Sequence, residues 1–156
     1  MATNTLINKM DDATVGTMSK SSYEWFFASV AVTVGQVCSL NLALADGNRA
    51  LYVVPSDAAS ADKATPVGVA MSAAAAGEKI KLCVAGYCEY ALVNTSTSKG
   101  DLLQIGATAG TLDIRTVAVD EGGAQTFNLL QVFASALETD TGSTGKGDIW
   151  IYKQTP

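Results

Sequence analysis

Residues 79–93 read KIKLCVAGYCEYALV, and the alternation in this stretch decides the fold class. Every second residue from Ile80 to Val84 is aliphatic, as in a strand with one buried face. Ala85-Gly86 interrupts the alternation, and residues 87–93 form a second strand-like run. A two-residue interruption that contains glycine is typical of a hairpin. The stretch therefore predicts two antiparallel strands joined at Ala85-Gly86.

The same period of two recurs along most of the chain. Leucines alternate with small or polar residues from Leu40 to Leu44, and Ile149 and Ile151 alternate with Trp150 and Tyr152. These runs predict an all-β protein, a small β-barrel or β-sandwich of about ten short strands. Two Ala-rich segments, 57–64 and 72–76, are long enough only for a short connector helix. The other candidate strands are 25–34, 50–54, 66–71, 87–93, 102–105, 112–119 and 127–134.

The 156 residues suffice for one domain with its own core. Residues 1–22 are polar and show no sustained period, so we expect an extended N-terminal arm that precedes a single β domain over residues 23–156. The arm still carries apolar side chains, including Leu6, Ile7 and Met10. Such a segment can become ordered on a partner's groove although it cannot pack alone. The alternative is an untethered tail.

Composition excludes several functional classes. Ten Lys and Arg face fifteen Asp and Glu, giving a net charge of −5, so we expect no nucleic acid partner. The chain has no histidine, which removes the common triad and dyad mechanisms and most metal sites. Ser-x-x-Lys occurs three times in polar segments, with the frequency of a chance match. We therefore predict that the protein is not an enzyme, with no catalytic residue, cofactor or metal.

The uncharged stretch from Trp25 to Ala45 has the length of a membrane span. Its β-branched residues and central Gly35-Gln36 instead favour two strands with a turn, so no membrane partner is expected. Residues 1–24 contain several charged residues and no apolar run, so we read no signal peptide.

Three cysteines, Cys38, Cys83 and Cys88, form no metal-binding or disulfide framework. A hairpin turn at Ala85-Gly86 would place Cys83 opposite Cys88, close enough for a disulfide. The alternative is two reduced thiols packed as small apolar side chains, which the odd cysteine count and a reducing cytoplasm favour.

Two sequence echoes raise the question of an internal repeat. Lys99-Gly100-Asp101-Leu102 resembles Lys146-Gly147-Asp148-Ile149, and both read as turns that lead into a strand. Residues 67–73 also resemble residues 131–137. Duplication is one explanation; strands of small residues that resemble one another by composition are the other.

Aromatic residues are few but grouped, and core plugging is their simplest role. Trp150 and Tyr152 fall on the face opposite Ile149 and Ile151, so one face needs a cover such as a neighbouring subunit. The candidate contact residues for a partner or subunit are Leu6, Ile7, Met10, Tyr23, Trp25, Phe26, Trp150 and Tyr152.

The order of strand and turn motifs between about residues 50 and 137 resembles the capsid decoration proteins, also called head-stabilising or cement proteins, of tailed bacteriophages. The residues that carry the resemblance are Leu51-Tyr52-Val53, Thr65-Pro66-Val67-Gly68-Val69-Ala70, Ala75-Ala76-Gly77-Glu78-Lys79-Ile80, Gly86, Lys99-Gly100-Asp101-Leu102-Leu103 and Ala109-Gly110-Thr111-Leu112. The polar arm and the aromatic cluster from Tyr23 to Phe27 depart from that pattern.

This resemblance implies a compact β domain, commonly a homotrimer, that is made in the host cytoplasm and binds the major capsid protein on the outside of an expanded head. The alternative is the base of a head fibre or a tail-associated adhesin that binds host glycans. That reading requires an exposed aromatic platform, for which the sequence suggests Trp150.

Overall fold

The computed structural model describes residues 21–94, 96–115, 132–139 and 145–152. The described residues are nearly all β, as predicted, with nine strands and two short 3₁₀ turns at Asp46–Ala50 and Ala61–Lys63. The second turn lies in one of the two Ala-rich segments, whereas residues 72–76 contain a bend, an isolated β-bridge at Ala74 and the start of a turn. The strands are β1 (Ser21–Ala28), β2 (Val37–Leu40), β3 (Tyr52–Pro55), β4 (Pro66–Ala70), β5 (Lys79–Val93), β6 (Leu102–Ile105), β7 (Leu112–Ile114), β8 (Ala134–Ala136) and β9 (Gly145–Ile151).

The predicted hairpin at Ala85-Gly86 is wrong, because β5 runs without reversal from Lys79 to Val93. Gly86 has φ +85, a conformation that glycine adopts in bulges as readily as in turns. It pairs with Ser21 of β1 on one side and with Ile151 of β9 on the other. At this irregularity β5 therefore changes partners, from β1 in its first half to β9 in its second half.

Strand pairing closes two five-stranded rings that share β5. In the first ring the order is β1, β3, β2, β4 and β5, and the first half of β5 pairs back with β1. The second ring has the order β5, β7, β6, β8 and β9, and β9 pairs back with the second half of β5. We call these rings the first and second barrels. Each of the nine strands thus has a partner on each side along part of its length, which limits exposed sheet edges among the described residues.

Each barrel encloses its own apolar cluster. Ala28, Cys38, Val53, Ile80 and Leu82 are among the residues that fill the first barrel. The second cluster is larger and contains these residues of the second barrel: Cys88, Ala91, Leu103, Leu112, Phe133, Ala134, Ala136, Ile149 and Ile151.

The second cluster also includes Val37, Val69 and Cys83, which project from the outside of the first barrel. Val69 pairs with Cys83, while the next pair, Ala70 with Leu82, packs into the first barrel. The β4–β5 ladder is therefore buried on both faces, and one barrel packs against the wall of the other.

The two barrels repeat one topology. β1 pairs in parallel with β3, and β5 pairs in parallel with β7; the remaining pairs in both rings are antiparallel. Individual hydrogen bonds repeat as well: the Gly35 amide donates to the Ala70 carbonyl, and the Gly100 amide donates to the Ala136 carbonyl, at 2.8 and 2.9 Å. Agreement in pairing order and in single bonds supports duplication over chance similarity of composition.

The repeat also extends to the turns before β2 and β6. The Gln36 side chain accepts a hydrogen bond from the Thr33 amide at 2.9 Å, and the Asp101 side chain accepts one from the Ser98 amide at 2.7 Å. The glycines between them, Gly35 and Gly100, have φ of +88 and +89. Equivalent positions in these turns are thus 65 residues apart.

The similar sequence segments indicated a repeat, but they did not give its correct register. Ala70 corresponds to Ala136, so the echo between residues 67–73 and 131–137 is two residues out of register. Lys146-Gly147-Asp148-Ile149 is not a turn, because all four residues lie within β9 and Gly147 pairs with Ala91. Small residues permit several registers, and only the pairing selects one.

The stretch from Trp25 to Ala45 contains the end of β1, the Gly35 turn and β2. Strand β1 is shorter than the predicted strand over residues 25–34, since it ends at Ala28. No helix in the described parts of the chain is long and apolar enough to cross a membrane.

Candidate interaction surfaces

The predicted contact residues separate into three groups. Leu6, Ile7 and Met10 lie outside the described residues. Phe26 packs against the core of the first barrel and pairs with Ile80. The aromatic residues Trp25, Trp150 and Tyr152 lie on the outside of the barrels. Tyr23 also projects from the first barrel, and its partly buried ring packs against the apolar cluster of the second.

The outer wall of the first barrel combines aromatic rings with lysines. Trp25 is 65% exposed and pairs across strands with Lys81, while Phe27 pairs with Lys79. The Lys81 ammonium lies 4.3 Å from the centre of the Tyr23 ring, and the Lys79 ammonium lies 6.0 Å from that of Phe27. These distances allow cation–π attraction. We call this surface the lysine face, and its residues are Tyr23, Trp25, Phe27, Tyr52, Lys79 and Lys81.

The aromatic row of the lysine face continues onto β3. The Phe27 and Tyr52 rings are 5.5 Å apart and tilted by 31°. No carboxylate pairs with either lysine within the parts of the chain that the structure describes. The lysine face is therefore a local positive region on an acidic protein.

The outer wall of the second barrel combines aromatic rings with carboxylates. The Tyr87 hydroxyl donates to Asp148 Oδ2 at 2.9 Å, and Glu138 Oε1 accepts from the Asp148 amide at 3.0 Å. Trp150 pairs with Tyr87 across β5 and β9, on the side opposite buried Ile149 and Ile151. We call this surface the carboxylate face, and its residues are Tyr87, Glu89, Glu138, Asp148, Trp150 and Tyr152.

Burial and three nearby carboxylates act together on Tyr87. Desolvation, the hydrogen bond to Asp148 and the negative charges of Asp148, Glu89 and Glu138 raise the pKa of Tyr87 to about 12. A phenol beside several carboxylates resists ionisation because the phenolate would be a further negative charge. The Lys146 ammonium lies 5.9 Å from the centre of the Tyr90 ring, next to Glu89 in the chain.

Trp150 is half-buried, whereas Trp25 is the more exposed tryptophan. The structure thus differs from the sequence expectation that Trp150 would supply an exposed platform. The reason is that β9 pairs on both sides, with Tyr87 and Ser135 flanking Trp150. Tyr152, one residue beyond the end of β9, is 39% exposed.

A cavity of about 320 Å³ opens at the mouth of the first barrel. Leu40, Val67 and Val84 form its apolar part, and Ser22, Glu24 and Thr65 supply polar groups. Barrel mouths are common ligand sites, but this volume is at the small end of their range.

The three cysteines are free and buried. Cys83 and Cys88 lie on the same strand. The Cys83 thiol donates to the Tyr87 carbonyl at 3.5 Å, and the Cys88 thiol lies 4.0 Å from the Met71 sulfur. Interaction between the two thiols raises the pKa of Cys88 and lowers the pKa of Cys83. Burial raises the pKa of Cys38 to about 12. Both thiols of the β5 pair therefore pack as core side chains, the alternative that the cysteine count favoured.

Sequence reasoning missed most charged residues of both faces. Lys79 and Lys81 read as the solvent side of a strand, Glu138 as a solvated charge in a turn-like segment, and Asp148 as part of a turn that leads into a strand. The one available signal was that aromatic residues occupy every second position of β1 and lysines occupy every second position at the start of β5. That signal becomes meaningful only when the register between the two strands is known.

No protein-family model and no curated protein matches the sequence. Among solved structures, the chain is similar to the head fiber gp8.5 N base in bacteriophage phi29, with a TM-score of 0.53. The match covers 87% of this chain and 98% of that chain at 14% sequence identity. At this low sequence identity the similarity indicates a similar fold and nothing more.

Proposed function

We propose that this protein is a structural component of a bacteriophage virion that attaches to the outside of the head. The observation that carries the proposal is the two-barrel fold, which matches the N base of a phage head fiber over nearly the whole length of that base. The resemblance to decoration proteins in the strand and turn motifs of residues 50–137 supports the same location independently.

Charge supports an external position. Packaged DNA is a dense polyanion, and a chain with a net charge of −5 is repelled by it. On the outer surface this charge carries no such penalty. The partner we propose is the major capsid protein.

Two roles on the head are compatible with this attachment. A cement role, in which the protein stabilises the expanded head, follows from the decoration-protein resemblance. The role of a fibre base follows from the structural similarity to the head fiber N base. In neither role does the protein catalyse a reaction or bind nucleic acid.

Electron microscopy tests attachment directly. The purified protein is mixed with empty expanded heads of the phage that encodes it, and the heads are separated from unbound protein and imaged by negative stain. We expect regularly spaced extra density on the exterior. An unrelated acidic β protein of the same size serves as the control, and heads that remain bare with both proteins refute the proposal.

A gene deletion separates the two roles. Heads that lack a cement protein lose their DNA at a lower temperature than wild-type heads. Heads that lack a fibre base keep their thermal stability but lose the fibres. A variant that lacks residues 2–20 then tests whether the N-terminal arm contributes to attachment. If the arm contributes, this variant should fold normally but decorate the heads more weakly than the full chain.

A further inference from the structure

The lysine face and the carboxylate face match each other in chemistry. Each presents aromatic rings on a rigid barrel wall, and they carry opposite charges: Lys79 and Lys81 on the first, and Glu89, Glu138 and Asp148 on the second. Protein interfaces are enriched in aromatic residues, and complementary charge fixes orientation.

Lys81 and the carboxylate at Glu89 are too far apart in one molecule to pair with each other. Lys81 and Glu89 lie eight residues apart on β5, about 25 Å along an extended strand. Each face therefore remains available to another molecule.

Each of the nine strands that the structure describes already has a neighbour on each side along part of its length. Short edge segments, such as residues 21–26 of β1, have a paired strand on one side only. The walls are convex, which suits a protein surface better than a small molecule, since small ligands prefer concave sites. A contact through side chains on a wall does not need a free strand edge.

We propose that the lysine face of one copy docks on the carboxylate face of a second copy of this chain. This contact joins two different surfaces, so it is heterologous and generates a closed ring when the rotation between copies closes. Trp25 is the central anchor on one side, because it is the most exposed large apolar side chain among the described residues. The Tyr87–Asp148 pair lies at the centre of the other side. The proposal does not depend on attachment to a phage head.

The test is a charge-reversal cycle on the full chain, read by sedimentation equilibrium across a range of protein concentrations. Wild-type protein is expected to have a mass that is a multiple of 16.1 kDa. Lys81→Glu and Glu89→Lys each place like charges across the contact, and each should weaken association by about tenfold or more. The docking places residue 81 of one copy opposite residue 89 of the next. The double variant K81E/E89K restores opposite charges at this pair, while Lys79, Glu138 and Asp148 keep theirs, so association should recover in part.

Matched controls exclude a general charge effect. Lys99→Glu and Asp62→Lys make the same changes in charge at exposed positions that belong to neither face, and their association should equal that of wild type. Circular dichroism verifies the β fold of each variant. Added salt should weaken association of the wild type, since the contact is partly electrostatic.

Three results overturn the proposal. The first is a wild-type chain that stays at 16.1 kDa at every concentration. The second is dissociation by K81E without any effect of E89K, which would assign the lysine face to a different acidic protein. The third is a double variant that associates no better than either single variant.

Discussion

The Cβ atom that Gly35 lacks would overlap the backbone oxygen of Tyr90. Gly35 belongs to the turn before β2 in the first barrel, whereas Tyr90 lies in the part of β5 that serves the second. The Leu92 amide also donates to the Gly35 carbonyl at 2.8 Å. The seam between the barrels is thus a direct backbone contact that only glycine permits.

Replacement of Gly35 by alanine should destabilise the protein strongly. The substitution costs about 1–2 kcal/mol for the positive φ alone, and the overlap with Tyr90 adds a strain that the backbone must relieve. Gly100 is the matched control: it has nearly the same φ, but an added Cβ meets nothing within 4 Å. In urea denaturation, Gly35→Ala should lose more stability than Gly100→Ala. Equal losses would show that the seam tolerates a side chain.

A second prediction concerns the buried hydroxyls of Ser39 and Ser56. Their oxygens are 2.7 Å apart, and both side chains are fully buried. Ser39→Ala leaves the Ser56 hydroxyl without its side-chain partner and should cost about 1–3 kcal/mol. The double variant S39A/S56A should cost less than the sum of the two single changes. Additive costs in a double-mutant cycle would mean that the pair contributes no coupling.

A third prediction is that the two barrels unfold together. They share β5, and the core of the second barrel packs on Val37, Val69 and Cys83 of the first. Leu103→Ala, in the second core, should cost about 2–5 kcal/mol. The chain has two tryptophans, one in β1 and one in β9, so Trp25→Phe and Trp150→Phe leave one fluorescent probe in each barrel. Leu103→Ala should shift both probes equally; a shift confined to Trp150 would indicate separate units.

The all-β class was predictable because alternation is a local property. Ile149 and Ile151 are buried and Trp150 projects outward, as their spacing indicated. The continuity of β5 was not predictable, since glycine at positive φ serves a two-residue turn and a bulge equally well. The choice depends on partners such as Ser21 and Ile151, which lie about 65 residues from Gly86 in opposite directions.

The candidate surfaces were less predictable than the fold. Trp25 and Lys81 are neighbours only because β1 pairs with β5, and Tyr87 meets Asp148 only because β5 pairs with β9. Composition gave the net charge of the chain but not its separation into a positive wall and a negative wall. That separation depends on register, where a shift of one residue reverses every side chain.

A fourth prediction concerns thiol reactivity. All three cysteines are free and at most 1% exposed, so a thiol reagent should react slowly with the folded protein. After unfolding in denaturant under an inert atmosphere, three thiols per chain should react. A count of one would instead show a Cys83–Cys88 disulfide. In the folded state Cys38 and Cys88 should react more slowly than Cys83, because a raised pKa removes the reactive thiolate of the first two, whereas the pKa of Cys83 is lowered.

The last prediction is that one tyrosine ionises far above the ordinary value of 10. Ultraviolet titration of phenolate should detect a group with a pKa of about 12, and Tyr87→Phe should remove it. This variant also separates the signal from Tyr90, whose pKa is raised chiefly by its hydrogen bond to Glu89 and by the charge of Glu89. Asp148→Asn should lower the pKa of Tyr87, since it removes a negative charge beside the phenol.

The same shift makes stability depend on pH with a definite sign. The folded protein holds the Tyr87 proton more tightly than the unfolded chain, so this group stabilises the fold below pH 10. The contribution is lost as the pH rises from 10 to about 12. Between these limits the free energy of unfolding of wild type should therefore fall more steeply than that of Tyr87→Phe. If the free energy of unfolding of the two proteins depended on pH in the same way, the raised pKa would not belong to Tyr87. That result would argue against carboxylates gathered around this residue.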